Sequence, residues 1–227
     1  LGILAFTACN EPEDVDLEPE IMAEELPALT AGSADFSNYV SLGNSLTAGF
    51  TDNALFQASQ SMSLPNLLSQ KFSLVGGGNF VQPLTNDNLG GLALAGTRIR
   101  NPRLVFGGAG PVSLESLVGD VTVTTDIALN NPTGPFNNLG VPGAKSFHLL
   151  APGYGSLDNF PTAANPYAIR ITGNTSASIL DLAVDQAPSF FSLWIGNNDV
   201  LGCATTGGDG TNPITPVSGA PGQGFDG

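Results

Sequence analysis

The stretch NYVSLGNS, residues 38–45, combines a short β-strand pattern with a tight polar turn. Its first five residues alternate and favour β-structure, and the turn Gly-Asn-Ser follows at once. The same order of strand, turn and helix pattern recurs at residues 138–150, and a strand with a similar turn recurs at residues 190–199. This repetition predicts an α/β fold built on a parallel sheet.

Further patterns lie around these units. The apolar run FFSLWI, residues 190–195, predicts a strand buried on both faces, whose Phe and Trp side chains belong to the core. The remaining patterns predict helices at residues 65–72, 144–150 and 175–184, a partial helix within 46–58, and a strand at 120–128.

The segment between the first two units is long and rich in Gly, Pro, Asn and Thr. Loops of such length are usually lids or binding segments. We therefore expect residues 73–135 to form an insertion over the Ser45 edge of the sheet, where it would shape a substrate pocket.

Three polar turns follow the three predicted strands. In open parallel sheets, sites form beyond the carboxyl ends of the strands, so Ser45, Gly143 and Asn198 should converge at one edge. An ester hydrolase needs a nucleophile, a base and hydrogen-bond donors for the oxyanion. Ser45 can supply a hydroxyl, Gly143 an unobstructed backbone N–H, and Asn198 a side-chain N–H. Ordinary turn chemistry is the alternative interpretation of all three residues.

The three turns resemble the conserved blocks of the GDSL, or SGNH, hydrolases. Residues 43–46 (GNSL) are similar to the first block, with Asn44 in place of the usual Asp. Residues 138–144 (NLGVPGA) are similar to the second block, and residues 196–199 (GNND) match the third. The resemblance extends over about residues 38–227, and the wider strings 39–50, 137–155 and 190–202 resemble lipoprotein members from Bacteroidetes-type bacteria.

This resemblance implies a fold and a set of roles. The fold would be the three-layer α/β/α, flavodoxin-like SGNH hydrolase fold with a parallel sheet. Ser45 would be the nucleophile, and Gly143 and Asn198 would complete an oxyanion hole with the N–H of Ser45. No metal or organic cofactor is implied.

The last block of the family, Asp-x-x-His, has no counterpart in this chain. That block supplies the base and the acid that orients it. The single histidine, His148, follows Gly143 by five residues and has no carboxylate near it in sequence. We interpret His148 as a structural or surface residue, with a substitute base as the alternative. We therefore expect a fragment of an SGNH hydrolase domain, incomplete at the C-terminus and with little turnover of its own.

The N-terminus resembles the end of a bacterial lipoprotein signal. A short apolar run ends at Cys9, and eight acidic residues follow between Glu11 and Glu25. Under this hypothesis residues 1–8 are a signal-peptide remnant, Cys9 is the lipidated membrane anchor, residues 9–36 are an acidic tether, and residues 37–227 belong to the hydrolase domain. The acids after Cys9 also resemble the surface-export signal of Bacteroidetes-type lipoproteins. A buried apolar N-terminus with a free Cys is the alternative.

Composition excludes several classes of protein. Six Lys and Arg residues against 20 Asp and Glu residues give a net charge of −14, which argues against a nucleic-acid partner and against a polybasic membrane surface. Two cysteines and one histidine exclude a disulfide scaffold and multi-histidine metal sites.

Three functional hypotheses follow. In the first, the intact parent is a serine ester hydrolase (an esterase, lipase or carbohydrate acetylesterase) of the bacterial cell envelope, an outer-membrane lipoprotein acting on small-molecule, glycan or lipid esters. In the second, it is a non-catalytic envelope lipoprotein that binds lipid or glycan on the same scaffold. In the third, the chain is a truncated and poorly folded product with an unpaired sheet edge.

Overall fold

The computed structural model describes residues 28–172, 176–205 and 207. The chain divides into two units, Leu1–Thr30 and Ala31–Gly227, and the described strands and helices all lie in the second unit. Cys9, the predicted signal remnant and most of the predicted tether lie outside the described residues. The fold below is therefore that of the unit that carries the sheet.

The described strands and helices follow one another along the chain. They are β1 (Tyr39–Gly43), α1 (Ser45–Ala48), α2 (Gln57–Ser61), α3 (Leu64–Phe72), β2 (Leu92–Leu94), β3 (Thr97–Arg100), β4 (Leu104–Phe106), β5 (Pro111–Ser113), α4 (Glu115–Val118), β6 (Asn138–Gly140), α5 (Pro166–Ile169), α6 (Ile179–Val184), β7 (Phe190–Trp194) and α7 (Asn197–Thr205). Short 3₁₀ helices add Ser73–Val75, Ser146–Leu150 and Leu157–Asn159.

A parallel three-stranded sheet of order β6-β1-β7 forms the centre of the unit. The central strand β1 pairs with both neighbours, and Gly43 lies beside Gly140 on one side and Trp194 on the other. Because all three strands run in the same direction, their carboxyl ends meet at a single edge of the sheet. The predicted α/β class with a parallel sheet is confirmed at this level.

Helices pack on both faces of β1, which is buried along its whole length. On one face the ring of Tyr39 packs against Phe72 of α3, with 5.0 Å between ring centroids. Gly43 shares that face, since side chains alternate along a strand, and it lies against Thr47 of α1. On the opposite face Leu42 lines an apolar groove together with Leu180 of α6.

The segment 73–135 forms two antiparallel hairpins, β2–β3 and β4–β5. The prediction of a strand at 120–128 is wrong. Ala95 and Gly96 join β2 to β3 with positive φ angles of 48° and 82°, as a tight two-residue hairpin turn requires. Within 120–128 only Asp126 forms an isolated β-bridge. Its carboxylate accepts hydrogen bonds from the N–H groups of that turn and holds the hairpin in place.

Strand β7 is not buried on both faces as its sequence predicted. It lies at an edge of the sheet that the described strands form, because it pairs with β1 alone. Phe191 is 62% exposed and Trp194 is 44% exposed, so the expectation that they belong to the core is wrong. Phe190 is half-buried, and its ring packs edge-on against Phe36 and Phe72.

Two predicted helices change their extent. The helix expected at 144–150 is a 3₁₀ helix, Ser146–Leu150, and the N–H of Lys145 just before it donates to Nδ1 of His148. Helix α6 begins at Ile179 because Ser178 caps it: the Ser178 hydroxyl accepts from the N–H of Asp181, and the Asp181 carboxylate accepts from the N–H of Ser178. By contrast, α3 carries Pro65 in its first turn, as predicted.

Candidate active site

Two of the three predicted site residues lie in one cavity at the carboxyl edge of the sheet. Ser45 begins α1, separated from the end of β1 by Asn44 alone, and Gly143 follows β6. Both line a cavity of about 600 Å³ that we call the Ser45 cavity; its lining includes Ser45, Phe50, Arg100, Gly143, Asn165 and Tyr167. Asn198 lies at the same edge, in the first turn of α7, but does not line this cavity.

Ser45 is held at the start of a helix by the residue before it. Asn44 is fully buried, its Oδ1 accepts from the N–H of Leu46 at 3.2 Å, and its Nδ2 donates to Oδ1 of Asn197. The N–H of a first helical residue has no partner within the helix. In the described part of the chain, neither the N–H nor the hydroxyl of Ser45 makes a hydrogen bond. Both groups of Ser45 are therefore available to a ligand.

The turn that carries Gly143 is fixed through its neighbouring carbonyl. Gly143 has a φ of +81°, which glycine adopts without strain. The carbonyl oxygen of Pro142 accepts from Nδ2 of Asn165 at 2.9 Å. In a trans peptide the C=O and the N–H point in opposite directions, so the N–H of Gly143 is directed away from Asn165. That N–H donates to no residue among those described.

Asn198 and Asp199 connect the third turn to the second. Nδ2 of Asn198 donates to the carbonyl of Ala144 at 2.8 Å, next to Gly143. The carboxylate of Asp199, which is buried, accepts from the N–H of Ser146 and, at 2.7 Å, from its hydroxyl. One hydrogen of the Asn198 amide is thus committed to the second turn, and the other makes no bond to the described residues.

His148 lies outside the Ser45 cavity. It lines an adjoining cavity of about 320 Å³, which shares Arg100, Asn165 and Pro166 with the Ser45 cavity. Its ring stacks on the ring of Tyr154, with 4.3 Å between centroids. Its Nδ1 accepts from the N–H of Lys145 at 2.9 Å. Burial, reinforced by the charge of Lys145, lowers the pKa of His148 to about 4. The side chain is therefore neutral at pH 7 and is occupied by structural contacts, which supports its interpretation as a structural residue.

The hairpin segment contributes to the Ser45 cavity. Ile99, Arg100 and Asn101 line it from the end of β3. The sequence predicts that residues 73–135 lie over this edge and shape a substrate pocket, and the role of the segment in selecting a substrate stays a prediction.

Sequence reasoning did not identify Arg100, Asn165 or Tyr167 as site residues. The available signal was Asn165-Pro166, a typical helix start, in which Oδ1 of Asn165 caps α5 by accepting from the N–H of Tyr167. Nothing local to Arg100 indicated that the hairpin would bring it to the cavity.

Within the described ranges 28–172, 176–205 and 207, no helix has the length and hydropathy to cross a bilayer. The same residues hold no group of three or more His, Cys, Asp or Glu side chains suited to a metal ion. Comparisons with family models, with curated proteins and with solved structures found no match to the chain.

Proposed function

We propose that the intact protein is a serine ester hydrolase of the SGNH type. One observation carries the proposal: the unpaired hydroxyl of Ser45 shares a cavity with Gly143, whose N–H is likewise unpaired among the described residues, at the carboxyl edge of a parallel sheet. The parallel order β6-β1-β7 with helices on both faces also supports the three-layer, flavodoxin-like fold that the sequence blocks imply.

In the proposed reaction, Ser45 Oγ attacks the carbonyl carbon of an ester while a base takes its proton. The carbonyl oxygen gains a negative charge and accepts hydrogen bonds from the N–H groups of Ser45 and Gly143. The third donor that the sequence blocks imply is the second amide hydrogen of Asn198, which lies beside the cavity and already donates its first hydrogen to Ala144. Collapse of this intermediate breaks the bond to the alcohol, which leaves with the proton. Water then hydrolyses the acyl group from Ser45. Loss of one oxyanion donor costs roughly 10²–10³ in kcat in such sites.

In this proposal the catalytic base lies outside this chain. His148 is the single histidine; it does not line the Ser45 cavity, and its Nδ1 already accepts from the N–H of Lys145. We therefore assign the base and its orienting acid to an Asp-x-x-His segment of a longer protein. On its own, the chain of 227 residues is expected to show little or no turnover.

Hydrolysis of p-nitrophenyl butyrate by the intact protein tests the proposal. Wild-type protein should turn the ester over, and Ser45→Ala should lose at least about 10³-fold in kcat. Ser61→Ala is the matched control, because that exposed serine lies on α2 and donates only to the carbonyl of Ala58. Equal rates for wild type and Ser45→Ala would reject a serine hydrolase.

A non-catalytic envelope lipoprotein that binds lipid or glycan is the second candidate. It is favoured by the lack of a base beside Ser45 among the described residues. Sequencing the gene downstream of Gly227 separates the two candidates: an Asp-x-x-His segment supports the hydrolase, and its absence together with no turnover supports the binding protein.

The proposal places the protein at the bacterial cell envelope, anchored through lipid on Cys9. Metabolic labelling of the full precursor with radioactive palmitate tests this directly. Wild type and Cys203→Ser should incorporate label, whereas Cys9→Ser should not. Label that persists in Cys9→Ser would rule out Cys9 as the anchor.

A further inference from the structure

The lining of the Ser45 cavity includes one charged residue, the exposed Arg100, and its charge is positive. Arg100 is the only Lys, Arg, Asp or Glu among its described lining residues. The chain as a whole carries a net charge of −14. The positive charge of Arg100 is thus opposite in sign to the net charge of the chain.

Arg100 has few commitments elsewhere. Its Nη1 donates to the carbonyl of the preceding residue, Ile99, at 3.0 Å. Within the described ranges the single ion pair joins Arg98 to Glu115, so no described carboxylate neutralises Arg100. An arginine presents five N–H donors in a planar fork that matches a carboxylate. Most of that fork remains free for a ligand.

The polar neighbours of Arg100 do not supply a negative charge. Burial raises the pKa of Tyr167 to about 12, and the positive charges of Arg100 and Arg170 only partly oppose this rise. Tyr167 is therefore a neutral phenol at pH 7, and its hydroxyl bonds none of the described residues. Asn165 is already satisfied by Pro142, Tyr154 and the N–H of Tyr167.

We propose that the Ser45 cavity takes esters that carry a second, anionic group, a carboxylate, which Arg100 binds through its guanidinium fork. This inference rests on the proposed ester hydrolase and adds the substrate class. The ester carbonyl would lie at Ser45 and Gly143, and the carboxylate would reach Arg100 at the end of β3. The Tyr167 hydroxyl can donate to the same group.

Binding to the chain itself tests this inference without any catalytic base. The probes are two amides of equal length, the anion N-methyl adipamate and its neutral counterpart N-methyl 6-hydroxyhexanamide. Titration followed at the backbone amide signal of Gly143 gives each dissociation constant. We expect the anion to bind about tenfold more tightly, and raised salt to reduce this preference.

Three variants locate the preference. Arg100→Gln should abolish it, and Arg100→Lys should retain part of it, because the charge remains and the fork is lost. Lys71→Gln removes the same charge from an exposed site on α3 and should leave the preference intact. Equal affinities in wild type, or a preference that persists in Arg100→Gln, would overturn the inference.

A hydrolysis experiment separates this inference from the proposed function. The intact protein is given p-nitrophenyl butyrate and mono-p-nitrophenyl adipate, and the ratio of kcat/KM is compared. Turnover that depends on Ser45 with no preference for the adipate ester refutes the anionic substrate class alone. Tight binding of the anionic amide with no turnover dependent on Ser45 refutes the hydrolase while leaving Arg100 as an anion-binding residue.

Discussion

Replacing Gly140 with alanine should displace the helix that begins with Ser45. A Cβ on Gly140 would lie 2.8 Å from Cα of Ala48 and 2.8 Å from the carbonyl carbon of Thr47, and closer still to the Ala48 nitrogen. These are backbone atoms of α1, so no rotamer change relieves the contact. Overpacking of this kind costs about 3 kcal/mol, at the upper end of its usual range. Reduced freedom of the unfolded chain returns up to roughly 1 kcal/mol, for a net loss near 2 kcal/mol.

Urea unfolding followed by the fluorescence of the single tryptophan, Trp194, measures this loss. A loss of about 2 kcal/mol corresponds to a fall in Tm of about 4–8 °C for a domain of this size. Gly96→Ala is the control, because Gly96 has a φ of +82° and no atom within 4 Å of the added Cβ. That variant carries only the conformational cost, about 1 kcal/mol. If Gly140→Ala is no less stable than Gly96→Ala, the close packing of α1 on β6 is refuted.

Three further predictions concern the site. Burial lowers the pKa of His148 from 6.5 to about 4, so the folded state favours the neutral imidazole. The free energy of unfolding should therefore fall as the pH drops from 6.5 towards 4. After allowance for partial exposure, the expected loss is roughly 1–2 kcal/mol. His148→Gln should flatten that part of the pH dependence of urea unfolding, and an unchanged slope would refute the assignment. Asn44→Ala removes a helix cap and a buried amide contact, and should reduce the free energy of unfolding by about 2–3 kcal/mol, whereas a loss below about 0.5 kcal/mol would contradict it. In the intact protein, Asn165→Ser keeps an acceptor for the cap of α5, but its hydroxyl is one atom shorter than the amide and should not reach the Pro142 carbonyl. This variant should lower kcat at least about tenfold with KM little changed, and a rise in KM alone would assign Asn165 to substrate binding.

The sheet was predictable because each strand has a strong local pattern. The alternation before Gly43 and the apolar run before Gly196 each ended in a glycine turn, and both strands form within one or two residues of their predicted bounds. Burial of β7 was not predictable from the same pattern. An apolar run such as residues 190–195 does not indicate whether the strand lies in the middle of a sheet or at its edge. The exposure of its side chains depends on which strands and helices lie beside it.

The hairpins and the lining of the cavity depended on information that lies outside local patterns. The turn between β2 and β3 uses Ala95 at a φ of +48°, where Gly, Asn or Asp would have given a clearer signal. Arg100 reaches the cavity through the tertiary placement of that hairpin. Convergence of the polar turns was predicted from parallel topology: Ser45 and Gly143 share a cavity, and Asn198 bonds to Ala144 beside it. The catalytic roles of these residues stay predictions.

The hydrogen bond from Asn165 to Pro142 makes the electrostatic sign of one part of the cavity depend on the orientation of a single peptide plane. With the Pro142 carbonyl tied to Asn165, the dipole of this peptide presents its positive end on the side away from Asn165. Rotation of the plane by half a turn would reverse that dipole, and Gly143 has no side chain to resist the rotation. The Asn165 side chain therefore keeps the N–H of Gly143 available as a donor to an anion. In the flipped orientation the Pro142 carbonyl oxygen would take its place and repel the anion.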